Sequence, residues 1–204
     1  MNLKPKTYNL KPNLGFTLVE IFVVVVITAM ISAFAITYSK IGQRQVALYV
    51  EEQKVASLIQ KARSLAITIY SQGPPGSQPV CGYGLAIDYS QNTYSFFAYN
   101  RPAGPPSPTI CESINNIDLG LIDKTPSAVP AQYINIPLGA NIKFNGAPAD
   151  ALRYVLFVAP NPRTIVSNDP GGIRSAMPVV IHLETMDGKG SVTITVNTAG
   201  QVDF

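Results

Sequence analysis

The sequence predicts an α+β fold in which one long N-terminal α-helix, apolar in its first half, packs on an antiparallel β-sheet domain. Three observations carry this. An almost unbroken apolar run extends from Phe16 to Tyr38, an apolar stripe at helical spacing continues from it to Ile69, and alternating strand patterns follow Pro74, Pro75 and Gly76. At 204 residues the chain can form one domain with its own core and still hold a segment outside that core.

The first element is the apolar run. Ile21 to Ala35 contains no charge, and Phe16 to Val19 extend it backwards across Glu20. A helix rises about 1.5 Å per residue, so roughly 20 such residues cross a ~30 Å hydrocarbon layer. Lys4, Lys6 and Lys11 precede the run with no acid among them, whereas Lys40 and Arg44 follow it. That bias favours a cytoplasmic amino terminus. The formal charge of +3 comes from those three leading lysines, and the rest of the chain is balanced. A broad electrostatic footprint for nucleic acid is therefore not expected.

Glu20 is out of place in a plain anchor. A carboxylate within a membrane helix costs about 2.5–3.5 kcal/mol near the centre and less near an end. If the chain is cut after Gly15, Glu20 lies about 6 Å along the helix from the new α-amino group, and the two charges can neutralise each other within or between subunits. A tolerated charge near the interface is the plainer reading. A different cut, after the small-x-small triplet Ala33-Phe34-Ala35, would make the run a secretory signal peptide and start the chain at Ile36.

The second element is the stripe at Leu48, Val55, Leu58, Ile59, Ala62, Leu65, Ala66 and Ile69, with spacings of three, four and seven. Gln45, Glu52, Gln53, Gln60, Lys61 and Ser64 are expected on the other faces. One helix from about Thr17 to Tyr70 follows, and the Pro74-Pro75-Gly76 cluster prevents it from continuing.

Beyond it the period changes to two. Tyr83, Leu85, Ile87 and Tyr89 alternate with smaller or polar residues, and Ser90, Gln91 and Asn92 connect to the aromatic run Tyr94 to Tyr99, a hairpin pattern. Residues 101–108 read as a loop rich in proline. Tyr133 to Ile136, Ile142 to Phe144 and Tyr154 to Val158 are further strand candidates, and 168–172 reads as a turn. The clearest hairpin is the last: Val179, Ile181 and Leu183 share one face, Asp187-Gly188 turns the chain, and Val192, Ile194 and Val196 share a face on return.

Cys81 and Cys111 bracket the first hairpin and the proline-rich loop. With no Cys-x-x-Cys pair and a single histidine, His182, the common zinc spacings are missing. Outside the cytoplasm one disulfide is the natural reading; two separate thiols are the alternative. His182 falls on the strand face opposite the apolar one, no nucleophile-elbow motif accompanies it, and the glycine-rich stretches lack the P-loop lysine. No metal, cofactor or enzymatic activity is expected.

Gly15-Phe16-Thr17-Leu18-Val19-Glu20, with a basic leader before it and an apolar helix after it, resembles the class III signal of type IV pilins and type II secretion pseudopilins. The resemblance implies a pilin-like fold and cleavage between Gly15 and Phe16 by a membrane prepilin peptidase. It also implies N-methylation of Phe16 and a role for Glu20 in assembly. It divides the chain into a leader over 1–15, a transmembrane and filament-core half-helix over 16–39, and an extracytoplasmic pilin-like domain over 40–204. Major pilins often carry a helix-kinking proline in this region; here none occurs between Pro12 and Pro74.

The run Lys61-Ala62-Arg63-Ser64-Leu65-Ala66-Ile67, the stretch Gly82 to Asp88, the terminal Val192 to Val196 and Gly200-Gln201-Val202 narrow the match. Together they resemble the H-type pseudopilin and T-type fimbrial minor pilin family; the middle, about 101–178, resembles nothing specific. The implied partners are other pilin or pseudopilin subunits, the peptidase, an inner-membrane assembly platform, and membrane lipid before assembly. Some competence-associated members hold DNA through basic residues after the final glycine. Gln201 stands there instead, followed by Asp203, which disfavours DNA because phosphate contact needs positive charge.

Overall fold

The computed structural model describes residues 17–71, 80–102, 111–146, 149–159 and 163–203. Helix α1 runs from Leu18 to Ser71 without interruption, within a residue of the expected bounds. The Pro74-Pro75-Gly76 cluster and most of the proline-rich stretch lie outside the described residues. Among the described residues ten strands follow: β1 Val80–Asp88, β2 Thr93–Asn100, β3 Ile122–Asp123, β4 Ile136–Pro137, β5 Ile142–Phe144, β6 Tyr154–Val158, β7 Arg163–Ser167, β8 Val179–Thr185, β9 Ser191–Val196 and β10 Val202–Asp203.

The strands form two sheets where one was expected. The first has the order β3-β2-β1-β6-β7, with β4 also pairing β2, and the second the order β10-β9-β8-β5. Every strand pairing is antiparallel. The sheets are stitched where the amide of Leu152 donates to the Val180 carbonyl at 2.8 Å and that of Val180 donates to the Asp150 carbonyl at 3.0 Å.

By compactness the described residues fall into two units, one ending at Gln43 and the other beginning at Arg44. In the second, the stripe residues Leu48, Val55, Ile59, Ala62 and Ala66 share one buried cluster with Leu85, Phe96 and Phe157 of the first sheet and Ile181, Leu183 and Ile194 of the second. A smaller cluster lies on the opposite face of the first sheet, where Ile114 and Ile117 cover Phe97, Tyr99, Leu156 and Ile165. Covering on both faces leaves β2 buried from Tyr94 to Tyr99, so its aromatic run is a two-sided core strand.

Gly82 and Gly84 allow the close packing of β1. A Cβ on Gly84 would overlap the Val155 carbonyl oxygen and the Phe97 ring, and one on Gly82 would overlap the Phe157 carbonyl.

Two expectations are corrected. Tyr133 to Ile136 is not a strand: a 3₁₀ turn covers Ala131–Tyr133, and β4 begins only at Ile136. The reason is Asn135, whose φ of 49° is left-handed and interrupts extension, held by its amide donating to the Ser95 hydroxyl at 2.9 Å. Glu52 is not on an exposed face but buried, as is Glu51 beside it. The helix face that meets the domain is wider than the apolar stripe, and the 138–141 turn passes over it, with Gly139 against the Glu51 carboxylate.

Candidate functional site

A helix begins with backbone N–H groups that have no partner inside it. At the start of α1 Thr17 and Glu20 satisfy them reciprocally. The Glu20 carboxylate accepts from the Thr17 amide at 2.9 Å and from the Thr17 hydroxyl at 3.0 Å, and the Glu20 amide donates to that hydroxyl at 3.2 Å. This is a capping box. The Thr-x-x-Glu spacing is its signal in the sequence. Gly15 and Phe16, the expected cleavage pair, lie outside the described residues.

From Thr17 to Ile41 every side chain is exposed. Fourteen large apolar side chains lie between Leu18 and Tyr38, on all faces of the helix. The hydroxyls among them are turned inward to the backbone: Thr28 donates to the Val24 carbonyl at 2.9 Å, Ser32 to Thr28 at 2.7 Å and Thr37 to Ala33 at 3.0 Å. In hydrocarbon such back-bonding removes the cost of an unpaired hydroxyl. Glu20 is the one charged side chain between Leu18 and Ser39. The helix is long and apolar enough to cross a membrane.

Elsewhere the candidate residues take local partners. Cys81 and Cys111 are bonded to each other, with Cα atoms 5.3 Å apart. The bond ties the start of β1 to the segment that covers the second core cluster. The His182 Nδ1 lies 2.9 Å from the Thr193 hydroxyl on the neighbouring strand.

In the β8–β9 turn the Asp187 carboxylate accepts from the Thr185 hydroxyl at 2.8 Å and pairs with the Arg44 guanidinium at 2.6 Å. The Thr185 bond, ahead of the Lys189 amide and the Arg44 charge, holds its carboxyl below the usual range. Among the described residues no three His, Cys, Asp or Glu side chains are grouped to hold a metal.

At the other end of β9, Gly200 with φ +75° turns the chain into β10. Gln201 closes that turn: its amide donates to the Asn197 side chain at 2.9 Å, and its own side-chain oxygen accepts from Asn197 at 2.8 Å. Gln201 is thus engaged in turn structure.

No protein-family model, curated protein or solved structure matches the chain.

Proposed function

We propose that the chain is a structural minor pilin or pseudopilin subunit, cut between Gly15 and Phe16, methylated on Phe16 and assembled into a type IV pilus or type II secretion pseudopilus. The leader is 1–15. The half-helix over 16–39 holds the subunit in the cytoplasmic membrane, amino terminus inward, and then enters a filament core. The domain over 40–204 faces outward. Its partners are other subunits, the prepilin peptidase and an inner-membrane assembly platform.

One observation carries this reading: a helix whose first half is exposed and apolar on every face and bears a single carboxylate in its first turn. Burying a Val, Leu, Ile or Phe side chain is worth about 1.5–3 kcal/mol, so the fourteen represent on the order of 20 kcal/mol or more. A helix apolar all round needs lipid or protein about it. Lipid before assembly and neighbouring helices after it supply the same apolar surroundings in turn. A carboxylate at one end gives such a helix an axial address, because in an apolar filament core it is stable only beside a compensating positive group.

The reading is tested by following the chain in cells that make filaments. It predicts recovery with the membrane when assembly is blocked and with sheared filaments when assembly proceeds. Recovery only as soluble protein in both states would refute it.

A further inference from the structure

The bonds between β8 and β9 fix which way each residue of β9 points its backbone. The Thr185 amide donates to the Gly190 carbonyl at 2.9 Å, so in the register that follows Val192, Ile194 and Val196 exchange bonds with Leu183, Ile181 and Val179. Ser191, Thr193 and Thr195 therefore turn their N–H and C=O groups to the opposite edge. β10 takes up only the end of that edge: Asp203 lies opposite Thr195, and the Asn197 amide donates to the Gln201 carbonyl at 3.0 Å. Among the described residues nothing bonds the backbone groups of Ser191 and Thr193 on that side.

β5 and β7, which also end their sheets, are closed by the chain itself. On β5 the Phe144 amide donates to the Asn92 side chain at 3.0 Å and the Ile142 amide to the Gly139 carbonyl at 3.1 Å. On β7 the Val166 carbonyl accepts from the Ser175 amide at 2.7 Å. An open edge is usually blunted by a charge, a proline or a bulge, because it templates pairing with another chain. Residues 191–194, Ser-Val-Thr-Ile, hold no charge or proline, and the β8–β9 register runs without a shift.

Burial falls away where β10 stops. On the outer face Thr195 is half-buried and Thr193 exposed. On the inner face Ile194 and Val196 are fully buried, whereas Val192 is only half-buried although it packs against the same core cluster. One more strand segment along 191–194 would complete both faces.

The backbone directions select the occupant. Donors and acceptors alternating at strand spacing are met by an extended peptide, not by a compact ligand. The β9 strand of a second copy fits poorly: brought in antiparallel with its Ser191 opposite Thr193, it would place its Lys189 opposite Thr195, where Asp203 already pairs. The slot suits a short segment that ends beside β10.

We infer that the edge of β9 from Ser191 to Ile194 receives a short extended segment of a partner protein. The segment lies antiparallel to β9, like the strand pairings of both sheets, with one apolar side chain against Val192 between two polar ones beside Ser191 and Thr193. The inference uses only residues of the Arg44–Phe204 unit and does not depend on the filament reading.

The test uses the full chain in detergent micelles, followed by ¹H–¹⁵N spectra and amide hydrogen exchange. In the free chain the Ser191 and Thr193 amides should exchange rapidly while those of Val192 and Ile194 are protected. The probe is the peptide acetyl-Lys-Thr-Val-Thr-Lys-amide, whose threonines lie opposite Thr193 and Ser191. Titrated to millimolar concentration, it should give saturable shifts at Ser191 and Thr193 and slow their exchange. N-methylation of both threonines removes the donors that face β9 and should weaken binding about tenfold or more. N-methylation of the central valine, whose amide faces away, should change it by less than about threefold.

Thr193→Pro blocks the open edge and spares the bonds to β8, which the Thr193 backbone does not make. It should weaken the probe about tenfold or more while Val192 and Ile194 stay protected. If that variant does not fold, the N-methylated probes decide the matter on the parent chain. No saturable shift with the unmethylated peptide, Ser191 and Thr193 as protected as Val192 in the free chain, or equal binding of the peptide methylated on both threonines would overturn the inference. So would unchanged binding by folded Thr193→Pro, or protection of Ser191 and Thr193 that rises with protein concentration alone, which would give the edge to a second copy.

Discussion

The Glu20 carboxylate takes both donors that Thr17 offers, its amide and its hydroxyl, while that hydroxyl accepts from the Glu20 amide. Glu20 therefore has a local task that is separable from its charge. A capping box works with glutamine as well as glutamate. Replacing Glu20 by alanine removes cap and charge together and cannot tell one from the other.

Glu20→Gln separates them. If the charge serves assembly, Glu20→Gln enters filaments as poorly as Glu20→Ala although its cap is intact. Thr17→Ala, which loses about 1 kcal/mol of cap but keeps the charge, should enter nearly as well as the parent. The readout is the amount of each variant in sheared filaments. Full incorporation of Glu20→Gln would assign Glu20 to capping alone.

Cys111→Ser breaks the bond that closes a loop of 30 residues of sequence separation. The chain-entropy model gives a loss of about 3.6 kcal/mol, observed as a lower denaturant midpoint of the full chain in micelles. An unchanged midpoint would show that the covered face of the first sheet holds without the bond.

Gly84→Ala is expected to cost about 3 kcal/mol or more, since its methyl group would meet the Val155 carbonyl and the Phe97 ring. Gly146→Ala meets nothing within 4 Å and is the control, changing the midpoint by under about 0.5 kcal/mol.

Burial pushes the Glu52 carboxyl up. Its unfolded form loses the proton first as pH rises through roughly 4.3, so from there to the raised folded value stability falls with pH, and the penalty is complete above it. Glu52→Gln should therefore raise Tm near pH 7 and leave it nearly unchanged near pH 3. Asp88 has the opposite sign. Its carboxyl is held down, chiefly by the Ser90 hydroxyl, and its contribution is lost as pH falls through the folded value.

What could be read in advance followed from periodicity. The helix, β5, β6 and the β8–β9 hairpin appear where spacings of 3.6 and two placed them. β7 was hidden because Pro160 and Pro162 mark a break and Arg163-Thr164 carries no alternation. β3, β4 and β10 are two residues long, too short for any period. Glu51 and Glu52 were hidden because polarity suggests exposure, while tertiary packing decides it.

At the amino terminus the charge of Glu20 was legible and its capping partner was written three residues before it.

The most direct test of the filament-subunit account is the intact mass and amino-terminal sequence of the protein recovered from cells. The account predicts a chain beginning at Phe16 and carrying one N-methyl group. A chain beginning at Met1 or at Ile36 would contradict it.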